Sequence, residues 1–312
     1  MILVTGANGF LGSWISALLN HNNLEWYGLC RNNENLERLK YLPKSKISAI
    51  SSNLWIDFIT QTKPKIVISC DWDGVINSKR NDRALQISNI TRVLTLGTAS
   101  KKAGVKKFIT FGSQAENGPL NKIALERNYD LPTSVYGQAK VETRKSLFKL
   151  FDKSDTQLIW GRIFSTYGQT DNPQWLIPSM VKAFMKNERF SLTSGEQEWS
   201  YLHAYDFALA VLALCKEDFI EEIINIGNPT TIKIIEVANK VATYMNCNKL
   251  LEVGTHPHRS DQVFILKPDV SNLVRLGWSP KISIDLGLAS YVNWFRKSES
   301  SFQGIKITNF AQ

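Results

Sequence analysis

Two clusters of residues in this chain have the types and spacing to do chemistry. In the first, Thr5-Gly6-Ala7-Asn8-Gly9-Phe10-Leu11-Gly12, glycines at 6, 9 and 12 follow the apolar run Ile2-Leu3-Val4 and open a helical pattern. Each glycine serves a steric purpose, whether a tight turn, close approach of backbone to an anion, or contact between helix and strand. Such a loop can cradle a dinucleotide pyrophosphate. The second cluster, Tyr136-Gly137-Gln138-Ala139-Lys140, sets a phenol and an ammonium one helical turn apart, where each alters the other's proton affinity. A free tyrosine, with a pKa near ~10, is a poor proton shuttle at neutral pH. A neighbouring cation and an oxidised nicotinamide both favour the phenolate and bring it toward the working range. Upstream, Phe108-Ile109-Thr110-Phe111 leads to Gly112-Ser113-Gln114-Ala115-Glu116-Asn117-Gly118. Ser113 there offers a hydroxyl for a carbonyl or alcohol oxygen. Together the clusters specify redox chemistry.

The elements that must position these groups read as alternating strands and helices. Apolar runs predict strands at Ile2 to Thr5, Trp26 to Cys30, Ile47 to Ile50, Ile66 to Ser69, Lys107 to Phe111 and Gln157 to Trp160. Between them, Leu11 to Leu19, Ile87 to Ala103 and Gly137 to Phe151 predict helices. The alternation implies an α/β fold with a doubly wound parallel (Rossmann) sheet. Prolines 173, 178, 229, 257, 268 and 280 break the second half into shorter pieces, with helices expected at Ile177 to Lys186, Tyr205 to Leu214 and Ile234 to Tyr244. Glu222 to Ile226 reads as a strand returning to the main sheet. The expected division is a dinucleotide-binding domain at 1–164, with 203–228 returning to it, and a smaller α/β substrate lobe from 165–202 and 229–312. The polar tail beyond Lys297 is expected to be loosely held.

Composition bounds the remaining possibilities. The chain has 312 residues, 43% hydrophobic and 21% charged, enough for a large core. Lys and Arg outnumber Asp and Glu by 37 to 28, giving a net charge of +9. The basic residues are scattered, with Lys101-Lys102 and Lys106-Lys107 densest, so they suit solvated faces or a small anionic substrate rather than nucleic acid. Cys30, Cys70, Cys215 and Cys247 lie far apart and form no CxxC pair, as expected of reduced thiols in a cytoplasmic protein. No signal peptide fits before a glycine loop at residue 6, and no apolar run is long enough for a bilayer. His203, His256 and His258 have no companions that would complete a metal site, so no metal is expected.

At the end of the second strand, where an acidic residue grips the adenosine ribose of NAD, the chain has Arg31-Asn32-Asn33. A guanidinium suits a 2′-phosphate that a carboxylate would repel, which favours NADP(H) over NAD(H). A solvent-facing arginine is the competing reading. Trp72, in Asp71-Trp72-Asp73-Gly74-Val75 at the tip of the fourth strand, either walls the cofactor or sugar cleft or simply packs.

These residues resemble the extended short-chain dehydrogenase/reductase family, in its nucleotide-sugar epimerase/dehydratase branch, over nearly the whole chain. The resemblance implies that Ser113 bonds the reacting oxygen, Tyr136 exchanges its proton and Lys140 binds the nicotinamide ribose. It implies that Asn89 completes a tetrad near the cofactor. Gly6, Asn8, Gly9, Phe10, Leu11, Arg31, Asn53, Leu54, Cys70 and Phe164 are then further cofactor contacts. Trp72, Ser113, Gln114, Glu116, Ser165 and Arg259 become substrate contacts. Arg162-Ile163-Phe164-Ser165-Thr166-Tyr167-Gly168 is similar to the family's RxFNxYG segment, with Ser165 replacing the usual asparagine. Arg259 matches an arginine often found on the substrate diphosphate, although a surface ion pair fits the same position. Family members usually dimerise through helices matching Ile87 to Ala103 and Gly137 to Phe151, so a homodimer is expected.

The same resemblance narrows the reaction. Sugar 4,6-dehydratases carry a Thr-Asp-Glu run whose carboxylates perform elimination, whereas this chain has Ser113-Gln114-Ala115. Epimerase/reductases acting at carbons 3 and 5 use a cysteine just after the serine, which Gln114 and Ala115 do not supply. The GSQAE run, the Trp-Asp-Gly-Val segment and QEWSYLHAYD look most like nucleoside-diphosphate 4-keto-6-deoxyhexose 4-reductases of the CDP-abequose and dTDP-fucose synthase type. The implied product is a deoxy-sugar nucleotide for surface polysaccharide. A 4-epimerase that oxidises and re-reduces one carbon, and a non-catalytic NADP(H) sensor, remain as alternatives.

Overall fold

The computed structural model describes residues 1–127, 130–216, 222–258 and 262–298, together with Ile307 and Phe310. Its centre is a seven-stranded parallel sheet of β1 (Ile2–Thr5), β2 (Trp26–Cys30), β3 (Ile47–Ala49), β4 (Ile66–Ser69), β5 (Lys107–Ser113), β7 (Gln157–Ile163) and β12 (Ile223–Ile226), in the order β12-β7-β5-β4-β1-β2-β3. The strands read as continuous apolar runs because both faces are covered. Alternate residues serve opposite layers. Val4, Ile68, Ile109 and Ile159 face a core shared with α1 (Phe10–His21) and α6 (Ala204–Leu214). Leu3, Val67, Phe108 and Leu158 face α2 (Trp55–Thr62), α3 (Arg83–Lys102) and α4 (Val135–Phe151). The sheet is the doubly wound one expected. Strand order reverses beside β1, so the loops after β1, β2 and β4 converge on one crevice.

Helix starts are set by caps. Asp82 accepts a hydrogen bond from Leu85 N at 3.1 Å, so α3 begins at Arg83, one turn before the start expected from apolar spacing. Ser134 accepts from Gly137 N at 3.1 Å and places Tyr136 in the first turn of α4. Gly97 lets α3 approach α4 closely, since a Cβ there would lie 2.9 Å from Leu147.

The rest of the chain forms smaller units. β6 (Ile123–Ala124), β10 (Glu198–Trp199), β13 (Ile232–Lys233) and β15 (Ile265–Pro268) make a four-stranded sheet. β8 (Ser165–Tyr167) pairs with β11 (Tyr201–His203), and β9 (Phe190–Leu192) with β14 (Leu251–Val253). A second core joins α5 (Leu176–Met185), α7 (Ile234–Met245) and α9 (Ile284–Ser298), and α8 (Ser271–Arg275) lies near β12. Sequence periodicity did not reveal α2, α8, α9 or the two- and three-residue strands, whose identity comes from their partners. The expectation of a loose tail is corrected at Ile307 and Phe310. Ile307 is buried, and Phe310 stacks on Tyr205 and packs against Trp14 and His203. Among the described residues no helix is long and apolar enough to cross a membrane.

Beyond β8 the chain turns back onto α1, where Trp14 Nε1 donates to Gln169 O at 3.1 Å. Asp171 lies buried in this turn and accepts from Asn172 N at 2.7 Å. Burial pushes its carboxyl up to about 8, against the Asn172 hydrogen bond and the charge of Arg38. Because the folded value lies above the unfolded one, the unfolded chain loses its proton first. Stability therefore falls as pH rises from about 4 to about 8, then levels. Asp171→Asn should remove that slope. Denaturant unfolding should show it more stable than the parent by at least about 1 kcal/mol near pH 8 and indistinguishable below pH 4.

Candidate active site

The loop after β1 is built so that backbone, rather than side chains, faces the crevice. Gly6 has φ +69° and lies against the Cys70 carbonyl, where a Cβ would sit 3.0 Å from main-chain atoms. A Cβ on Gly12 would come within 2.2 Å of Gly6 O, so no other residue fits there. Gly9 N donates to Gly6 O at 2.9 Å, and Gly9 caps α1 with no side chain over the first turn. This cradle fits a dinucleotide pyrophosphate, with Phe10 and Leu11 beginning the helix beneath it. Asn8 is spent on the loop itself: its amide donates to Glu34 O at 2.6 Å, and its carbonyl accepts from Arg38 at 3.0 Å. Asn53 and Leu54 are exposed on a short 3-10 turn beyond β3, on the β2 side of the crevice.

Arg31 is not the free guanidinium that the sequence suggested. It donates to both Asp73 oxygens at 2.6 Å, and its Nε lies 2.8 Å from Asp71. Arg92 pairs with Asp71 and lies 3.3 Å from Asp73. Arg31 follows β2 and the two aspartates follow β4. The ion pairs therefore pass over the end of β1, which lies between them in the sheet. Burial works against the charge on Asp73, but the Arg31 hydrogen bonds and the charges of Arg31 and Arg92 outweigh it and hold its carboxyl low. Two cations meet two anions, so the cluster presents no spare positive charge. Asn89 is also corrected. Fully buried, it accepts from Asp73 N at 3.1 Å and donates to Asp73 O at 2.9 Å, bracing the β4 loop rather than facing a cofactor.

The catalytic candidates do come together. The Tyr136 hydroxyl hydrogen-bonds the Ser113 side chain. Burial raises the phenol's pKa, against that hydrogen bond and the charge of Arg80. Lys140 Nζ donates to Phe111 O at 2.7 Å and lies 3.5 Å from the centre of the Trp72 ring, a cation–π contact. Burial lowers Lys140 to about 7, opposed by Glu116, Cys70 and Asp71. Trp72 thus resolves its two readings: it covers Lys140, meets Tyr136 edge-on at 6.3 Å, and is held by Nε1 on Gln86 at 3.0 Å. Cys70 lies below the glycine turn, its thiol driven up by burial. Gln114 is partly exposed on the turn after Ser113.

Glu116 is a correction with consequences. Expected on substrate, it is fully buried and faces inward. Its carboxylate accepts from Ser113 N at 2.8 Å, from Trp160 Nε1 at 3.1 Å and from Arg144 Nε at 3.1 Å, and Arg162 lies 3.5 Å away. Phe164 is likewise withdrawn, packed with Ala124 and Leu266. Ser165 is half-buried on β8, opposite Tyr201. Arg259 lies outside the described residues. His203 is buried, caps α6 through Nδ1 and is held neutral by burial, with its pKa lowered to about 3. His258 contacts Ser194 and Gln197. No group of side chains suited to a metal occurs among the described residues. Sequence reasoning passed over Arg80, Gln86, Arg92, Arg144 and Trp160. The alternating charges of Asp71 and Asp73 around Trp72 were the one visible signal. Glu116→Ala should cost about 3–5 kcal/mol in denaturant unfolding, because it strands buried arginine charge; Glu116→Gln should cost less.

Comparison with known proteins agrees with this geometry. Residues 2–227 match the NAD dependent epimerase/dehydratase family. The chain is 26% identical to a UDP-glucuronate 4-epimerase of Thermodesulfobacterium geofontis, over 98% of this chain and 99% of that one. Among solved structures, the UDP-glucose 4-epimerase of Thermotoga maritima with UDP-glucose superposes with TM-score 0.86 at 23% identity, covering 96% and 99% of the two chains. The dTDP-glucose 4,6-dehydratase of Bacillus anthracis in complex with NAD gives 0.81 at 20%, covering 95% and 98%. The two structures share the fold.

Proposed function

The chain belongs to the NAD dependent epimerase/dehydratase family, and from that premise we propose that it is a 4-ketoreductase of a nucleoside-diphosphate 4-keto-6-deoxyhexose. The observation that carries this reading is the bonded pair of Ser113 and Tyr136 with no second acid or base in the turn. Gln114 and Ala115 cannot ionise in the working range, and Glu116 is consumed by Ser113 N, Trp160 and Arg144. One proton donor suits a reaction that needs one proton. It does not suit elimination, which needs an acid and a base.

The dihydronicotinamide supplies the hydride that reaches carbon 4 of the ketone. Ser113 holds the ketone oxygen as it gains negative charge, and Tyr136 gives its proton to that oxygen, leaving a phenolate that solvent reprotonates. Burial, which keeps Tyr136 protonated at neutral pH, serves this direction. Lys140 is the residue for the nicotinamide ribose. For that, its ammonium must turn partly from Trp72. We take 165–202 and 229–312 as the substrate-binding lobe, and α3 and α4 as the faces of a homodimer.

Arg31 supported NADP(H) in the sequence, but with Asp71 and Asp73 as partners its charge is already balanced. We therefore read NADH as the better reductant, with NADPH requiring a phosphate to displace Asp73. A second reading, a 4-epimerase, is favoured by the 4-epimerases among the similar proteins. It interconverts two sugar nucleotides with no net nicotinamide oxidation.

A panel of CDP-, dTDP-, GDP- and UDP-4-keto-6-deoxyhexoses with NADH and NADPH separates these readings. Stoichiometric nicotinamide oxidation is expected, and interconversion without it would establish the epimerase. Tyr136→Phe should abolish turnover while cofactor affinity stays nearly unchanged; full activity would sink the assigned donor. Asp73→Asn should free Arg31 and raise kcat/KM with NADPH relative to NADH by at least about tenfold, the worth of one charged hydrogen bond.

A further inference from the structure

The usual arrangement inferred from a tyrosine and a lysine one turn apart makes the lysine the cation that favours the phenolate. Here Lys140 Nζ lies 5.7 Å from the centre of the Tyr136 ring, and its contacts are to Phe111 O and the Trp72 face. A different cation is closer. The Arg80 guanidinium carbon lies 5.0 Å from the centre of the Tyr136 ring.

Arg80 is carried by a short 3-10 turn, Asn77–Asn81, between β4 and α3, and that turn is fastened on both sides. Asn81 accepts from Val135 N at 3.2 Å, tying it to the first turn of α4 beside Tyr136. Buried Gln86 donates to Lys79 O at 3.1 Å and to Gly74 O at 3.0 Å, and accepts from Trp72 Nε1. The same glutamine therefore sets both Trp72 over Lys140 and the turn that brings Arg80 to the phenol.

We propose that Arg80 is the positioning residue that stabilises the Tyr136 phenolate, supplied from the segment between β4 and α3 rather than from the helix of Tyr136 itself. The inference rests on Tyr136 as the proton donor and holds for reduction or epimerisation. The charged groups facing the phenol are Arg80 from this turn, Glu116 from the turn after β5 and Lys140 from α4. Arg80 favours the phenolate and Glu116 opposes it, while Asp71 and Cys70 act on Lys140. During reduction the proton leaves Tyr136 Oη for the ketone oxygen, and Arg80 offsets the negative charge left on the ring oxygen.

The test compares the parent, Arg80→Met and Arg80→Lys, each with and without Tyr136→Phe. Tyrosinate difference absorbance within each pair isolates the Tyr136 titration without substrate. Arg80→Met should move that titration up by about one pH unit, and Arg80→Lys should restore most of it. On a substrate that turns over, the alkaline limb of kcat should move in the same direction, with KM changed less than about twofold. A Tyr136 that titrates identically with and without Arg80, or in neither protein, overturns the proposal. So does a loss confined to KM, which would assign Arg80 to an anionic part of the substrate. A moved titration in a protein that reduces none of the sugar nucleotides would retain this inference and reject the proposed substrate.

Discussion

A carboxylate with no access to water has to be neutralised where it stands, and Glu116 is such a group. Its partners come from three elements: Ser113 N at the end of β5, Arg144 on α4, and Trp160 with Arg162 on β7. Moving any one leaves a buried charge or a buried donor without its complement. The turn that presents Ser113 and the helix that presents Tyr136 and Lys140 are thereby held in one register. The Ser113–Tyr136 hydrogen bond is a consequence of that constraint rather than its source.

The nucleotide side obeys a similar rule with a different outcome. Arg31 and Arg92 meet Asp71 and Asp73 above the end of β1, and Asn89 pins the loop that carries both aspartates. A balanced quartet of charges lies across the crevice beside the glycine cradle. Selectivity for one nicotinamide cofactor then becomes a competition for Arg31 between a carboxylate already present and a phosphate brought by the ligand.

Much of this was legible because it is local. Glycines 6, 9 and 12 after a first strand, and a tyrosine and lysine four apart, carry their geometry in their spacing. The parallel sheet followed from apolar runs with polar breaks. Arg31 was misread because its partners lie some 40 residues away, on a strand not adjacent to its own. Glu116 was misread because a carboxylate beside a catalytic serine looks like a substrate ligand until the arginines of α4 and β7 are seen to surround it. Phe164 and Asn89 failed for the same reason: side-chain direction is decided by packing. The two-residue strands and α9 carry too little pattern to be read without their neighbours.

The path of the chain between the two cores has a mechanical consequence. It leaves the main sheet at the end of β7, returns through α6, and leaves again at the end of β12, with Phe164 N bonded to Ile226 O at 3.0 Å. Both departures are therefore side by side on adjacent parallel strands. Whatever follows them is hung from a single narrow pivot, free to rock about one axis while resisting twist, and opening and shutting over the crevice costs the sheet no broken pairing.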